Sequence, residues 1–410
     1  MINIGIKKRL LLLLVLTTII ISSTGCNQNG ESVMVSNGPL TMEEKLEDFE
    51  YAYNIIKENY SFLEVNKRLN GVDWLANKDE YTEKIKNTNS HYQFMEELSN
   101  IIMELNNGHT HVVQMNEFKW YHSVYSQHKF SYNKPWFKVF NDKRVLARYN
   151  YLSPKESPED SGYFGNTSPA FKTDIIVPNK VAYLKINIMD GRRVEKDGKE
   201  IREFYEKIKD YEKLIIDIRG NGGGSDSYWR ENVVSALAKE QISTSNYIFV
   251  RGDYGNPFYR ARGIKLKSIK SINEDILNQM PEEIEKDFDK YWISTTTINP
   301  KNPIDFNGKI YLLVDYKVYS SSESFASFCK DSGFATLVGE TTGGDGIGID
   351  PLFFSLPNSG VVIRFSSLMA LNGDFTINEE VKTTPHIKVS SAVTRNYDLD
   401  NCIQHVVNDN

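Results

Sequence analysis

Apolar and aromatic residues recur at three- and four-residue spacing early in the chain. Leu46, Phe49, Tyr53, Ile56 and Tyr60 follow Thr41-Met42-Glu43-Glu44, a capping-box arrangement, and predict an amphipathic helix. A second helix is predicted from Ser90–Gln93, with Phe94, Leu98, Ile101, Ile102 and Leu105 on its inner face and Asn107-Gly108 as its stop. These two define an N-terminal helical domain over 41–108. Residues 109–178 are aromatic-rich and irregular. Trp136–Phe140 and Val145–Tyr151 read as short strands, and Pro, Ser and Gly cluster between Ser153 and Pro169, so a β-rich subdomain or cap is expected there.

From residue 179 the pattern changes. Val181–Ile188 has strand character, Glu200–Tyr211 is amphipathic at helical spacing, and Leu214–Ile218 is a continuous apolar run suited to a strand buried on both faces, together a βαβ unit. Helix Ser227–Lys239, strands at Tyr247–Val250 and Ile310–Val314, helix Ser321–Asp331 and strand Ala335–Val338 continue the alternation. The fold class is therefore α/β, with the core over 179–395 and a C-terminal helix or tail over 396–410. An insertion at 251–303 is basic from Arg260 to Lys270 and acidic from Glu282 to Asp289; this reads as a solvated helix face rather than a substrate-covering flap.

The N-terminus bears on the compartment. Lys7, Lys8 and Arg9 precede the apolar run Leu10–Ile21, which is too short to span a bilayer as a helix and suits the core of an export signal. The following Ser22-Ser23-Thr24-Gly25-Cys26 resembles a bacterial lipoprotein signal, which implies cleavage over 1–25, lipidation of Cys26 and an extracytoplasmic, membrane-anchored protein. Residues 26–40 are polar enough to be a tether. Without 1–25, 45 basic residues face 54 acidic ones, a formal charge of −9, and nothing in that balance favours a nucleic-acid partner. Cys329 and Cys402 are the other cysteines, too few for a disulfide framework but able to pair.

Three short segments carry candidate chemistry. Asp217-Ile218-Arg219-Gly220-Asn221-Gly222-Gly223-Gly224 ends a buried strand in a glycine turn that exposes backbone N–H groups to a ligand; no Lys-Ser/Thr follows, so a phosphate loop is disfavoured. Ser320-Ser321-Ser322-Glu323 stands at a strand-to-helix turn, where a serine serves either as nucleophile or simply as helix cap. Asn107-Gly108-His109-Thr110-His111 offers a histidine base or half of a zinc site, and no further ligand cluster supports the metal.

Together these segments resemble the tail-specific (C-terminal processing) serine peptidases and their tricorn-core relatives. Asp217-Ile218-Arg219-x-Asn221-x-Gly223-Gly224 matches that family's turn, Ser320-x-x-Glu323 its nucleophile motif, and Val338-Gly339-Glu340-Thr341-Thr342-Gly343-Gly344 the strand and turn that follow. The resemblance implies a crotonase/ClpP-like core, a polypeptide substrate, no metal or organic cofactor, and Ser320 as nucleophile. Family members with a Ser/Lys dyad carry a lysine 25 residues after the nucleophile; here Asp345 stands there. The histidine-dependent branch is the better match, with His109 as base, Gly223 and Ser321 N–H groups as oxyanion donors, and Glu379 (or its neighbour Glu380) as distal carboxylate. No PDZ domain is recognisable between 112 and 178, and the serine that partners the histidine in that branch has no evident counterpart. The rival class is an inactive relative that holds peptides or other ligands at the cell surface.

Overall fold

Six strands form the central sheet, in the order Ile387–Lys388, Thr336–Gly339, Lys309–Val314, Lys213–Asp217, Val181–Ile186 and Phe171–Val177. The first five run parallel and the last is antiparallel to its neighbour. A computed structural model describes residues 39–150, 169–390, 392–394 and 396–409, all within one compact unit. The expected export segment 1–25, Cys26, the expected tether up to residue 38 and the Pro/Ser/Gly cluster up to residue 168 lie outside the described residues.

Lys213–Asp217 is wholly buried, as its unbroken apolar run requires. Its side chains alternate between two cores. Leu214 and Ile216 pack with helices Val194–Ile208 and Ser321–Ser332, whereas Ile215 packs with the C-terminal helix Asn401–Asn408 through Cys402, Ile403 and Val406. Cys329 belongs to the first core and Cys402 to the second, so the sheet separates them and both are free thiols.

The N-terminal helices form as their periodicity predicts. Met42–Asn59 starts with the complete Thr41/Glu44 capping box, and Ser90 caps His91–Met103 by accepting from Gln93 N–H. These helices do not close a core of their own. A single apolar cluster runs from Phe49 and Ile56 through Phe94 and Leu98 to Phe353, Phe365 and Ile377. Asp48 reinforces the join by accepting from the N–H groups of Asn358 and Ser359, at 2.7 and 2.8 Å.

The expectation of a β-rich cap is corrected. Within 109–178 the described residues form helices Met115–Ser126, Lys134–Phe140 and Lys143–Arg148, and the strands there are His111–Val112 and Phe171–Val177. Trp136–Phe140 is helical because Pro135 opens the first turn and Trp136 and Phe140, four apart, both face the core. Asp142 then caps the next helix through Arg144 N–H, taking Val145 into helix rather than strand.

The insertion is corrected too. Its last part is the nine-residue strand Lys290–Ile298, paired along its whole length with Ile242–Val250 in a second, four-stranded sheet. Ile293, Thr295, Thr296, Thr297 and Ile298, β-branched residues in a six-residue stretch, suit the pairing. The basic stretch holds the end of the short helix Asn256–Ala261 and the two-residue strand Lys267–Ser268, and the acidic one the short helix Glu283–Asp287. Among the described residues no helix is long and apolar enough to cross a membrane.

Candidate active site

The strands Lys213–Asp217, Lys309–Val314 and Thr336–Gly339 are neighbours, so the turns after their C-terminal ends meet. Those turns are the glycine turn, the serine turn and Thr341–Asp345. Backbone bonds knit them: Tyr319 N–H donates to Asn221 O at 3.3 Å, and Gly343 N–H to Val318 O at 2.7 Å.

The glycine turn is anchored from beneath. Arg219 is buried and grips both Asp217 and Asp400, with contacts of 2.7–3.0 Å. The Asp217 charge is held further by Lys185 at 3.1 Å and the Tyr183 hydroxyl at 2.8 Å. The Asp-x-Arg part of the motif is therefore an anchor.

Ser320 occupies the N-cap position of Ser321–Ser332 but makes no side-chain capping bond. Its backbone stands at φ 58°, ψ −128°, a region that non-glycine residues enter at a cost of about 1–3 kcal/mol. Such strain at a strand-to-helix turn lifts a serine out of the backbone line toward the cleft. Ser321 and Ser322 are buried instead, their hydroxyls against Met189 Sδ at 3.4 and 3.7 Å. Gly223 presses against this turn: a Cβ there would lie 2.8 Å from Ser320 Cβ and from Ser321 N.

His109 arrives from the other half of the molecule. The strand His111–Val112 pairs antiparallel with Val362–Phe365, which sets the preceding loop beside the serine turn. His109 Nδ1 lies 2.9 Å from Asp345 Oδ2, and its ring packs on Tyr319 with centroids 4.7 Å apart. Burial, then the Arg364 guanidinium, lower the imidazole's pKa, with Asp345 pulling the other way, so the neutral form prevails near pH 7. Burial opposes the charge of Asp345, but His109, Ser366 and Asn107 outweigh it and hold that carboxyl well below its usual range. An ionised Asp345 accepts from Nδ1–H, which leaves Nε2 as the basic nitrogen.

Asp345 was legible in the sequence only as the residue excluding a lysine. It is the orienting partner of His109. Ser366 joins it, donating to Asp345 Oδ2 at 2.6 Å. Packing places the adjacent glutamates differently. Glu379 is buried, accepts from Asn107 Nδ2 at 3.1 Å and faces Lys382 Nζ at 3.3 Å, whereas Glu380 turns outward to Arg68. Burial and the Asp345 charge push Glu379 up to about 8.

One expected donor is corrected. Gly223 N–H already donates to Asn221 Oδ1 at 2.9 Å, so what Gly223 contributes here is room for the serine turn. Ser321 is the first residue of its helix, where the N–H has no intrahelical acceptor. Glu323 lies under the site, accepting from Asn378 and Thr383. The two histidines of the His-x-His pair face different carboxylates, His111 meeting Glu117 at 3.0 Å. Among the described residues no group of three or more His, Cys, Asp or Glu side chains gathers as a metal site.

His109, Ser320, Ser321, Gly223 and Asp345 all line one cleft of about 960 Å³. Its far wall comes from the helix Met115–Ser126, through Trp120, Tyr121 and Tyr125. A partly exposed serine at a helix start, sharing a cleft with a buried histidine backed by a carboxylate, fits a serine hydrolase. The chain belongs to peptidase family S41, whose model matches residues 180–389, and it is a serine peptidase. The model of the tricorn protease C1 domain matches 42–105.

Solved structures are similar in fold. A candidate peptidase from Parabacteroides merdae overlays with a TM-score of 0.56 at 19% identity, over 88% of this chain and 95% of that one. Mature CPAF complexed with lactacystin overlays at 0.54 and 15% identity, over 86% of this chain and 94% of that one. No curated protein matches the chain.

Proposed function

We propose that this peptidase is an endopeptidase that works by a Ser320/His109 mechanism from the outer face of a bacterial membrane. The observation carrying the mechanism is the 2.9 Å contact between His109 Nδ1 and Asp345 within the cleft that Ser320 lines. Neutral His109 takes the Ser320 proton on Nε2 as the hydroxyl oxygen attacks a peptide carbonyl. Asp345 steadies the imidazolium that forms, and the imidazolium then gives the proton to the leaving amine. Ser321 N–H faces the developing oxyanion at the positive end of its helix, a contribution of about 3 kcal/mol for one such donor. Water then releases the acyl group from Ser320 by the same proton route.

An inactive peptide-holding relative has no use for a neutral histidine backed by a carboxylate beside a strained serine; that favours the enzyme. The test is a fluorophosphonate probe. Labelling of wild type that is lost in both Ser320→Ala and His109→Ala supports the mechanism, and a folded wild type that resists labelling overturns it. The anchor rests on the sequence from Lys7 to Cys26. Cys26→Ala is expected to move the protein from the membrane fraction to the soluble exported fraction; an unchanged membrane fraction counts against lipidation.

A further inference from the structure

Asn107 closes the turn ahead of His109 and uses both ends of its side chain. Oδ1 accepts from His109 N–H at 3.0 Å and from Thr110 Oγ1 at 2.8 Å, an Asx-type turn that aspartate would make equally well. Nδ2 points the other way and does what aspartate cannot. It lies 2.9 Å from Asp345 Oδ2 and 3.1 Å from Glu379 Oε1, with the Tyr319 hydroxyl at 3.4 Å. One amide thus bridges two carboxylates from separate elements, Asp345 in the turn Thr341–Asp345 and buried Glu379 in the short helix Asn378–Val381.

Two carboxylates drawn to one donor cannot both ionise without a large penalty, so the pair settles on a single charge. The surroundings choose where it sits. Asp345 Oδ2 also receives His109 Nδ1, Ser366 Oγ and the Tyr319 hydroxyl. Glu379 has Lys382 at 3.3 Å, and its Oε2 lies over Gly344, where a Cβ would come within 3.0 Å of it. The other titratable groups near the pair are Tyr60, whose phenol is pushed up by burial and by both carboxylates, and Arg364, which acts on His109.

We propose that Asn107 is a positioning residue for the hydrolysis: its amide clamps Asp345 and Glu379 at one point and fixes Asp345 as the anionic partner of His109. The proposal rests on the Ser/His mechanism above. Gly108, next in the chain, has little space for a side chain, since a Cβ would lie 3.1 Å from the Tyr319 ring. The turn is therefore held tightly enough for one amide to set the distance between the two carboxylates.

Asn107→Asp separates the two ends. It keeps the acceptor for the His109 and Thr110 turn and replaces the two N–H donors by a third carboxylate, which must carry a proton before it can donate to Asp345 at all. The rate of fluorophosphonate labelling, measured against pH with wild type and His109→Ala alongside, reads the result. The expectation is a rate about tenfold or more below wild type at pH 7.5, recovering toward acid pH so that the optimum moves down by about one unit or more. A wild-type profile in Asn107→Asp, with His109→Ala inert, overturns the clamp and leaves the mechanism standing. Labelling that survives in His109→Ala overturns both. Should Asn107→Asp not fold, Asn107→Ser replaces it, because serine keeps a turn acceptor but falls short of both carboxylates. A tenfold slower labelling of that variant supports the clamp, and an unchanged rate overturns it.

Discussion

At the scale of single residues, the proposed chemistry turns on Asp345 and Glu379, which burial and neighbours push in opposite directions. Asp345→Asn is expected to lower the labelling rate of Ser320 by about 10³–10⁴-fold, because an amide no longer enforces the Nδ1–H tautomer. Circular dichroism should show the fold retained. The lowered pKa of His109 places the acid limb of activity below the ordinary value of about 6.5. A limb above 7 would contradict a neutral buried base. Glu379 has a folded pKa raised to about 8, so the folded state holds a proton that the unfolded chain releases near 4.5. The stability this lends is complete below the unfolded value and is lost as pH rises toward 8. Thermal melts should therefore show wild type losing more Tm between pH 5 and 8 than Glu379→Gln does.

At the scale of elements, the strain in the serine turn and the closeness of the glycine turn make one device. Glycine accepts φ 58°, ψ −128° freely, whereas alanine does not. Ser320→Gly is expected to raise Tm above that of Ser320→Ala, by an amount corresponding to about 1 kcal/mol or more, while both lose labelling. Equal Tm values would mean that the turn stores no strain. Gly223 stands at φ 106°, and its Cβ would strike the backbone at Tyr319 O and Ser321 N, both at 2.8 Å. Gly223→Ala should consequently displace the serine turn and abolish labelling, with a fall in Tm.

At the scale of the whole molecule, the site exists because distant segments are tied to the sheet. The C-terminal helix is bound through Asp400, and Arg219 links that residue to Asp217 beneath the glycine turn. Replacing Arg219 by Met leaves buried Asp400 without its cation and Asp217 with Lys185 alone, and breaking such a group costs about 3–5 kcal/mol. A drop in Tm of that order, together with faster proteolysis of residues 396–409, is the expected result; a wild-type Tm would show the ion group to be dispensable. The N-terminal helices are joined as firmly, through the shared apolar cluster and the Asp48 bonds to 358 and 359, so the histidine and the serine are carried by one body.

Much of this was legible in the residues. The helices at Met42–Asn59 and His91–Met103, the buried strands Lys213–Asp217 and Lys309–Val314 and the serine helix follow from local periodicity and caps, which act over a few residues and are written in order along the chain. The motif around Ser320 and the glycine turn likewise declared a serine peptidase. What the sequence could not supply was every relation between separate turns. Trp136–Phe140 carried aromatic residues compatible with either strand or helix, and Pro135 at its start together with packing against the core decided for helix. Lys290–Ile298 needed its partner Ile242–Val250 to become part of a sheet. Asp345 became the partner of His109, Glu379 was separated from Glu380, and Asn107 came to bridge two carboxylates because hydrogen bonds across 236, 272 and 238 positions of chain depend on how the sheet is assembled. The sequence by itself determined most elements of the central sheet and the family, and it singled out Ser320 as the candidate nucleophile. Tertiary structure decided the base's partner, since the charge of a buried carboxylate is set by whatever the fold brings within about 3 Å of it.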